Sequence, residues 1–319
     1  MLSNGKESLY RLLLDLVRIP SVSASGGEAE IARLLHARLA EMPYFQDHSD
    51  DLRLLPVEGD PLGRPDLWAL VRADPPTERT VILTGHMDVV GVDDYGSLKD
   101  LAFDAESLTA ALAGHDLAPS VRDDLDSGDY LFGRGTMDMK CGLALEMGLI
   151  AEAAADRRRF GVNVAFLAVS DEENISAGMR GALPHLASFQ AQGLDFIAAV
   201  DTEPSDLGGG QEPVRNLFTG TVGKIMPFFL CVGRAAHVGA CFDGLNANAV
   251  ASRINLELEG NVRYADGAGG EWFAPPVCLH QRDLLRAYSV TLAERALAYY
   301  NVLTATWTPA QVLDLMVEA

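Results

Sequence analysis

The sequence predicts an α/β fold: buried strands covered by helices, followed by a second, smaller unit behind a linker. Two observations carry this prediction. First, the runs Thr80–Thr84, Val162–Val169 and Asp195–Val200 are continuously apolar or nearly so, as strands in the middle of a helix-covered sheet are. Second, composition shifts after Pro204, where Leu207–Pro213 is a glycine-rich stretch that reads as a linker. The expected division is therefore a domain over residues 1–210 and another over 211–319.

At 319 residues and 48% hydrophobic content, the chain can hold one large domain or two ordinary ones, each with a real core. A formal net charge of −20 argues against nucleic acid or an anionic membrane as partner. No apolar run approaches the roughly 18–20 residues of a membrane span. The segment Met1–Glu7 carries charges and no apolar core, so it does not read as a signal peptide. Cys141, Cys231, Cys241 and Cys278 show no CxxC spacing, and idle thiols suit a reducing, cytoplasmic setting.

Taken in order, Gly5–Val17 places apolar residues at helical spacing, and Ile19-Pro20 ends that helix. Ser21–Gly27 is a turn, and Glu28–Met42 a second amphipathic helix. Asp66–Arg72 and Thr80–Thr84 read as strands. Gly133 and Gly135 permit a tight loop that delivers Asp138 to the first turn of a buried helix running to about Ala155. A carboxylate there is favoured by the helix dipole, and an N-cap aspartate is the plain structural reading. The segment after Glu173 contains Pro184, which predicts a short or kinked helix. Beyond the linker, Lys224–Val232 is strand-like and Asn246–Glu259 reads as a helix that Asn246 can cap. Residues 264–277 read as loop, Ser289–Asn301 as helix, and Thr308–Val317 as a further helix. Asp93, Asp94, Asp123 and Asp124 read as solvated loop charges, and Arg134 and Lys140 as supports for the loop around Asp138.

The chemistry collects at strand ends. The first apolar strand delivers Gly85-His86-Met87-Asp88, the next Ser170-Asp171-Glu172-Glu173, and the third Asp201-Thr202-Glu203. Open α/β sheets bind ligands outside the carboxyl ends of their strands. Carboxylates gathered there repel one another unless some stay protonated or a cation compensates them. One or two divalent metals remove the problem, and imidazole with carboxylate and no thiolate suits zinc, cobalt or manganese. The chemistry implied is activation of a water by the metal, with a nearby glutamate taking its proton. At the third strand end Asp201 competes with Glu203 as a ligand, and a strand-end cap accounts for Asp201 as well.

Gly85–Val90, Gly133–Lys140, Asp171-Glu172-Glu173 and Glu203-Pro204-Ser205 stand in an order that resembles the successive signatures of the M20 metallopeptidase/amidohydrolase family. Tyr95–Asp104, Gly178–Ala182 and Thr219–Lys224 most resemble its arginine-utilisation branch, RocB. The resemblance implies a zinc-exopeptidase-like mixed sheet with helices on both faces, plus an α+β lid that dimerises. It implies amide or peptide hydrolysis in a small substrate, with two Zn2+ ions in a complete site and Co2+ or Mn2+ as substitutes. By position, His86 and Glu203 would bind one metal, Glu173 the other, and Asp138 both, followed by a cis peptide. Asp88 would hold the His86 ring, Glu172 would be the general base, His237 would polarise the scissile carbonyl, and Asn246 would touch a substrate carboxylate. Cys241 stands where many members have proline. The family's last ligand is a histidine beyond the lid. The last histidine here, His280, reads as a surface residue in a loop, so the chain resembles the N-terminal part of such an enzyme. The competing expectation is a truncated or degenerate relative that binds metal or dimerises without catalysing.

Overall fold

The computed structural model describes residues 3–204 and 217–318. The chain divides into two compact units, Met1–Pro213 and Val214–Ala319. The proposed linker Leu207–Pro213 and the 210/211 boundary lie outside the described residues, as does Ser205 of the Glu-Pro-Ser motif.

The first unit opens with helices α1 (Lys6–Val17), α2 (Gly27–Ala40) and α3 (Pro43–Asp47). Strands β1 (Leu52–Leu55), β2 (Asp66–Val71) and β3 (Arg79–His86) follow, then short helices α4 (Ala105–Leu112) and α5 (Pro119–Ser127). Helix α6 (Lys140–Ala155), strand β4 (Asn163–Val169), helix α7 (Ala177–Ala191) and strand β5 (Asp195–Asp201) complete it. The strands form one mixed sheet in the order β1-β2-β4-β3-β5. β4, β3 and β5 run parallel, while β2 is antiparallel to β4 and β1 to β2. The parallel trio therefore opens its carboxyl ends on one rim.

β2 and β4 are buried along their whole length, and their alternate residues face two different cores. Leu67, Ala69, Val71, Val164, Phe166 and Ala168 pack with Leu16, Leu35, Leu143 and Met147 from α1, α2 and α6. Trp68, Leu70, Ala165, Leu167 and Val169 pack with Ala182 and Phe189 of α7, where the Trp68 and Phe189 rings stack at 4.6 Å. Each large side chain so buried contributes on the order of 2 kcal/mol, so continuous apolar runs stabilise a sheet only when helices cover both faces.

The second unit begins with β6 (Gly223–Ile225) and β7 (Phe228–Val232), then helix α8 (Ala247–Leu258). A two-stranded hairpin, β8 (Gly267–Ala268) and β9 (Glu271–Trp272), precedes β10 (Val277–Asp283), β11 (Arg295–Thr304) and helix α9 (Pro309–Glu318). β11 is the central strand, antiparallel to β10, β6 and β7. Its alternate residues Ala298, Tyr300 and Val302 are buried with Leu258 of α8 and with Val312 and Met316 of α9. The opposite face leaves Phe228, Leu230 and Val232 exposed.

Several expectations are corrected. Ser289–Asn301 is not a helix, because Arg295–Thr304 is a strand with strict alternation of burial. Its Ala/Leu/Glu/Arg content favours helix locally, and pairing along both edges overrides that weak preference. His280 lies in β10 rather than a loop and is exposed, with its ring stacked on Tyr299. The helix containing Pro184 is fifteen residues long; Pro184 is exposed, which leaves the carbonyl deprived of its partner a route to water. Asp123 and Asp124 lie on α5, not in a loop. Residues 264–277 contain the β8–β9 hairpin. β5, expected to be buried, is an exposed strand that pairs with β3 alone among the described residues.

Candidate metal centre

Asp138 stands outside α6, whose N-cap is Met139 with no side-chain cap bond. The N-cap reading of Asp138 is therefore overturned, and its carboxylate is directed elsewhere. Oδ1 lies 3.0 Å from His86 Nε2 at the end of β3, and the Asp138–Met139 peptide is cis. Gly135 adopts φ 78°, the left-handed conformation that glycine accepts most readily, and this turns the loop into α6. Lys140, fully buried, anchors the turn by donating from Nζ to the carbonyls of Leu16 (3.0 Å) and Ile19 (2.8 Å). Arg134 donates instead to exposed Asp94.

The three parallel strand ends converge as the sequence suggests. His86 Nε2 lies 3.4 Å from Glu203 Oε2 and 4.0 Å from Glu172 Oε2. Atoms offered by His86, Asp138 and Glu173 lie within 4.8 Å of one another. Asp201 Oδ1 accepts from the Glu203 amide at 3.2 Å, so Asp201 is the strand-end cap and Glu203 the residue that reaches the cluster.

His86 Nδ1 lies 2.9 Å from the main-chain carbonyl of Asp88, an acceptor only, so Nδ1 carries hydrogen and Nε2 is left to face carboxylate oxygens. The closest support of the ring is thus the Asp88 carbonyl, with the carboxylate at 3.5 Å. That carboxylate has another task, which sequence reasoning missed. It accepts from the amides of Glu172 (3.0 Å) and Glu173 (3.1 Å) and from Ser23 Oγ (2.7 Å), and so fixes the backbone that presents both glutamates.

Burial opposes a charge on His86, but the neighbouring carboxylates of Asp88 and Glu203 prevail and push its pKa up to about 11. Burial raises Glu172 and Glu173 above the usual carboxylate range, and neighbouring carboxylates add to the effect. Both results express one fact: the cluster demands positive charge between its oxygens and Nε2, and a proton or a cation can supply it. One imidazole with three or four carboxylates and no thiolate is a donor set for zinc, cobalt or manganese. The residues therefore fit a divalent ion.

His237 and Asn246 belong to the second unit. His237 Nδ1 accepts from the Gly239 amide at 3.0 Å, which leaves Nε2 as the protonated, donating nitrogen. Asn246 caps α8 by accepting from Asn248 N at 3.0 Å. Also invisible in the sequence was buried Arg64, paired with Glu28, Asp60 and Asp171. A lone arginine in a Gly/Pro-containing loop gives no signal of this.

Such a helix-covered mixed sheet is a fold that solved M20 peptidase structures share. The model of "Peptidase family M20/M25/M40" matches residues 82–310, and the chain belongs to that family. It is 38% identical over 318 residues to the uncharacterized protein YqjN of Bacillus subtilis, covering 98% of this chain and 57% of that protein. It is 31% identical over 317 residues to the protein RocB of the same organism, covering 99% of this chain and 56% of that one. The chain thus spans little more than half the length of these curated relatives. Among solved structures, the dipeptidase Dug1p of Saccharomyces cerevisiae superimposes with a TM-score of 0.61 at 15% identity, covering 98% of this chain and 72% of that one. The M20 family metallo-carboxypeptidase Sso-CP2 of Sulfolobus solfataricus gives 0.59 at 15% identity, covering 97% and 74%. No helix among the described residues is long and apolar enough to cross a membrane.

Proposed function

We propose that this chain carries the metal-binding part of a hydrolase that cleaves an amide or peptide bond in a small, amino-acid-derived substrate. The observation that carries the reading is His86 Nε2 faced by oxygens of Asp138, Glu203 and Glu172 at 3.0–4.0 Å. His86 and Glu203 would hold one ion, Glu173 a second, and Asp138 both, with Zn2+ favoured and Co2+ or Mn2+ as substitutes. A bound divalent ion supplies Lewis acidity that makes water a nucleophile near neutral pH. Glu172, whose Oε2 lies 4.0 Å from His86 Nε2 and whose pKa burial raises, takes the proton of the attacking water and returns it to the leaving amine. Asp88 holds Glu172 and Glu173 in place through their amides. His237, with Nε2 as donor, is assigned to the oxygen of the scissile carbonyl, and Asn246 to a substrate carboxylate.

Similarity to RocB supports a substrate from arginine catabolism. The exposed Phe228, Leu230 and Val232 support a homodimer formed through the second unit, and a monomer by light scattering at high concentration would refute that part. Four unpaired cysteines support a cytoplasmic setting.

The test is metal content per chain on protein purified without chelator, together with amide-hydrolysis assays of the native chain and of Glu172→Gln. Bound metal in both, with turnover only in the native chain, is expected. Metal without turnover in either would favour a non-catalytic metal-binding relative. Full turnover in Glu172→Gln would remove the general-base assignment.

A further inference from the structure

Behind the cluster lies a buried charge network. The Arg64 side chain is 4% exposed and touches Glu28, Asp60 and Asp171, themselves 0%, 1% and 1% exposed. Its Nη1 donates to Glu28 Oε2 at 2.8 Å and to Asp171 Oδ1 at 2.9 Å, and its Nη2 to Asp60 Oδ1 at 2.6 Å. One guanidinium thus ties together α2, the loop before β2 and the turn that follows β4. Buried ion pairs add little net stability compared with apolar packing, so an arrangement with three carboxylates on one cation calls for another reason.

Asp171 supplies it. It immediately precedes Glu172 and Glu173 and adopts φ 67°, a conformation uncommon outside glycine. Contacts on every side hold it there. Its amide donates to Glu28 Oε1 at 2.8 Å, its carbonyl accepts from Ser176 N at 2.7 Å, and Oδ2 accepts from Ala177 N at 3.3 Å. The next two amides go to Asp88. The turn that aims Glu172 and Glu173 is therefore clamped from both ends, by Asp88 in front and by Arg64 with Glu28 behind.

We propose that Arg64, acting through Glu28 and Asp171, is a positioning residue that sets the direction in which Glu172 and Glu173 enter the metal centre. This rests on the roles given above to those two glutamates. The test uses the 319-residue chain carrying Asp171→Asn. Asparagine keeps the size of aspartate and tolerates the left-handed backbone, but it offers one acceptor oxygen where Arg64 and Ala177 need two. Two quantities are measured: hydrogen exchange of peptides covering 170–177, and Co2+ affinity by titration calorimetry. Asp60→Asn is the control, because Asp60 pairs with Arg64 without touching the turn.

In Asp171→Asn, exchange across 171–177 is expected to rise at least about tenfold, and Co2+ affinity to fall roughly 10–100-fold, as for other residues that orient metal ligands. Exchange in β3 and β4 should stay unchanged, and Asp60→Asn should move both readouts less. If Asp60→Asn matches Asp171→Asn, or if β3 and β4 loosen as much as the turn, the network is merely structural and the proposal falls. A native chain that binds no Co2+ would sink the metal-centre reading, while the exchange comparison would still decide the positioning role. Should Asp171→Asn fail to fold, Arg64→Lys, which keeps the charge and loses the two-sided contact, is scored by the same criteria.

Discussion

Glu146 gives the sharpest prediction about stability. It lies in α6 with no exposure, accepts from Thr202 Oγ1 at 3.1 Å, and its Oε2 has no partner among the described residues. Burial is the main reason its pKa rises from 4.5 to about 8. The folded chain therefore binds this proton more tightly than the unfolded chain does. The associated stability is fully present below 4.5 and drains away as pH climbs towards 8. At about 1.4 kcal/mol per factor of ten in proton affinity, the loss between about pH 5 and about pH 8 is roughly 3–4 kcal/mol. Glu146→Gln keeps the acceptor for Thr202 and has no proton to lose. It should match the native chain to within about 1 kcal/mol at the acid end and exceed it by roughly 3 kcal/mol at the basic end. Urea titrations at both pH values, read by hydrogen exchange on β3 and β4 peptides so that only the first unit is scored, measure this. Parallel pH profiles for the two proteins would refute the claim that a buried, protonated carboxyl sits under the strand ends.

Zn2+ at about a hundred times its dissociation constant should stabilise the first unit by roughly 2–3 kcal/mol, seen as a rise in its calorimetric Tm that chelator reverses. Identical melting with and without the ion would count against the site. Asp266 accepts from the amides of Ala305, Thr306 and Trp307 at 2.7–2.9 Å and from Thr306 Oγ1 at 2.7 Å. Burial works against its charge, and the Thr306 and neighbouring hydrogen bonds overcome this and hold its carboxyl well below the usual range. Asp266→Ala should therefore cost the second unit roughly 2–4 kcal/mol. In the native chain this contribution is present above pH 3.8 and is lost as acid protonates the folded carboxylate, so acid titrations of variant and native should converge. A Cβ at Gly142 would press on Thr202 Oγ1 and lie 2.9 Å from the Thr202 carbonyl, one residue before Glu203. Gly142→Ala should destabilise by roughly 1–3 kcal/mol and weaken Co2+ binding; unchanged calorimetric affinity would show that the strand end yields freely.

The fold was legible where local pattern and tertiary environment agree. β3 and β4 read as buried strands because helices do cover both faces, and α8 announced itself through Asn246 at its cap. Reading failed where partners far along the chain decide the outcome. Ala296, Ala298 and Tyr300 repeat at a period of two, but the Ala/Leu/Glu/Arg composition around them also suits a helix. Only β7 and β10 on either side of β11 settle the choice. β5 erred in the opposite direction, since an apolar run says nothing about whether a second strand or a helix comes to lie against it.

The same distinction governs the site. His86, Asp138, Glu172, Glu173 and Glu203 were readable because each sits at the end of an element that the sequence itself delimits. Parallel strands then bring His86, Glu172, Glu173 and Glu203 to one rim, and the loop that turns at Gly135 into α6 brings Asp138 to them. What holds the cluster was not readable. Arg64 meets Asp171 across 107 positions and Glu28 across 36, and no periodicity relates them. Asp88 shows both sides at once: its motif identified it as the partner of His86, while the distances give that contact to its carbonyl and commit its carboxylate to the Glu172 and Glu173 amides. A cluster of candidate ligands can be inferred from elements in order, whereas the contacts that orient it depend on three-dimensional neighbours. The Asp171 and Asp60 substitutions compare those two kinds of dependence directly, because both aspartates bind the same guanidinium and only one of them touches the turn.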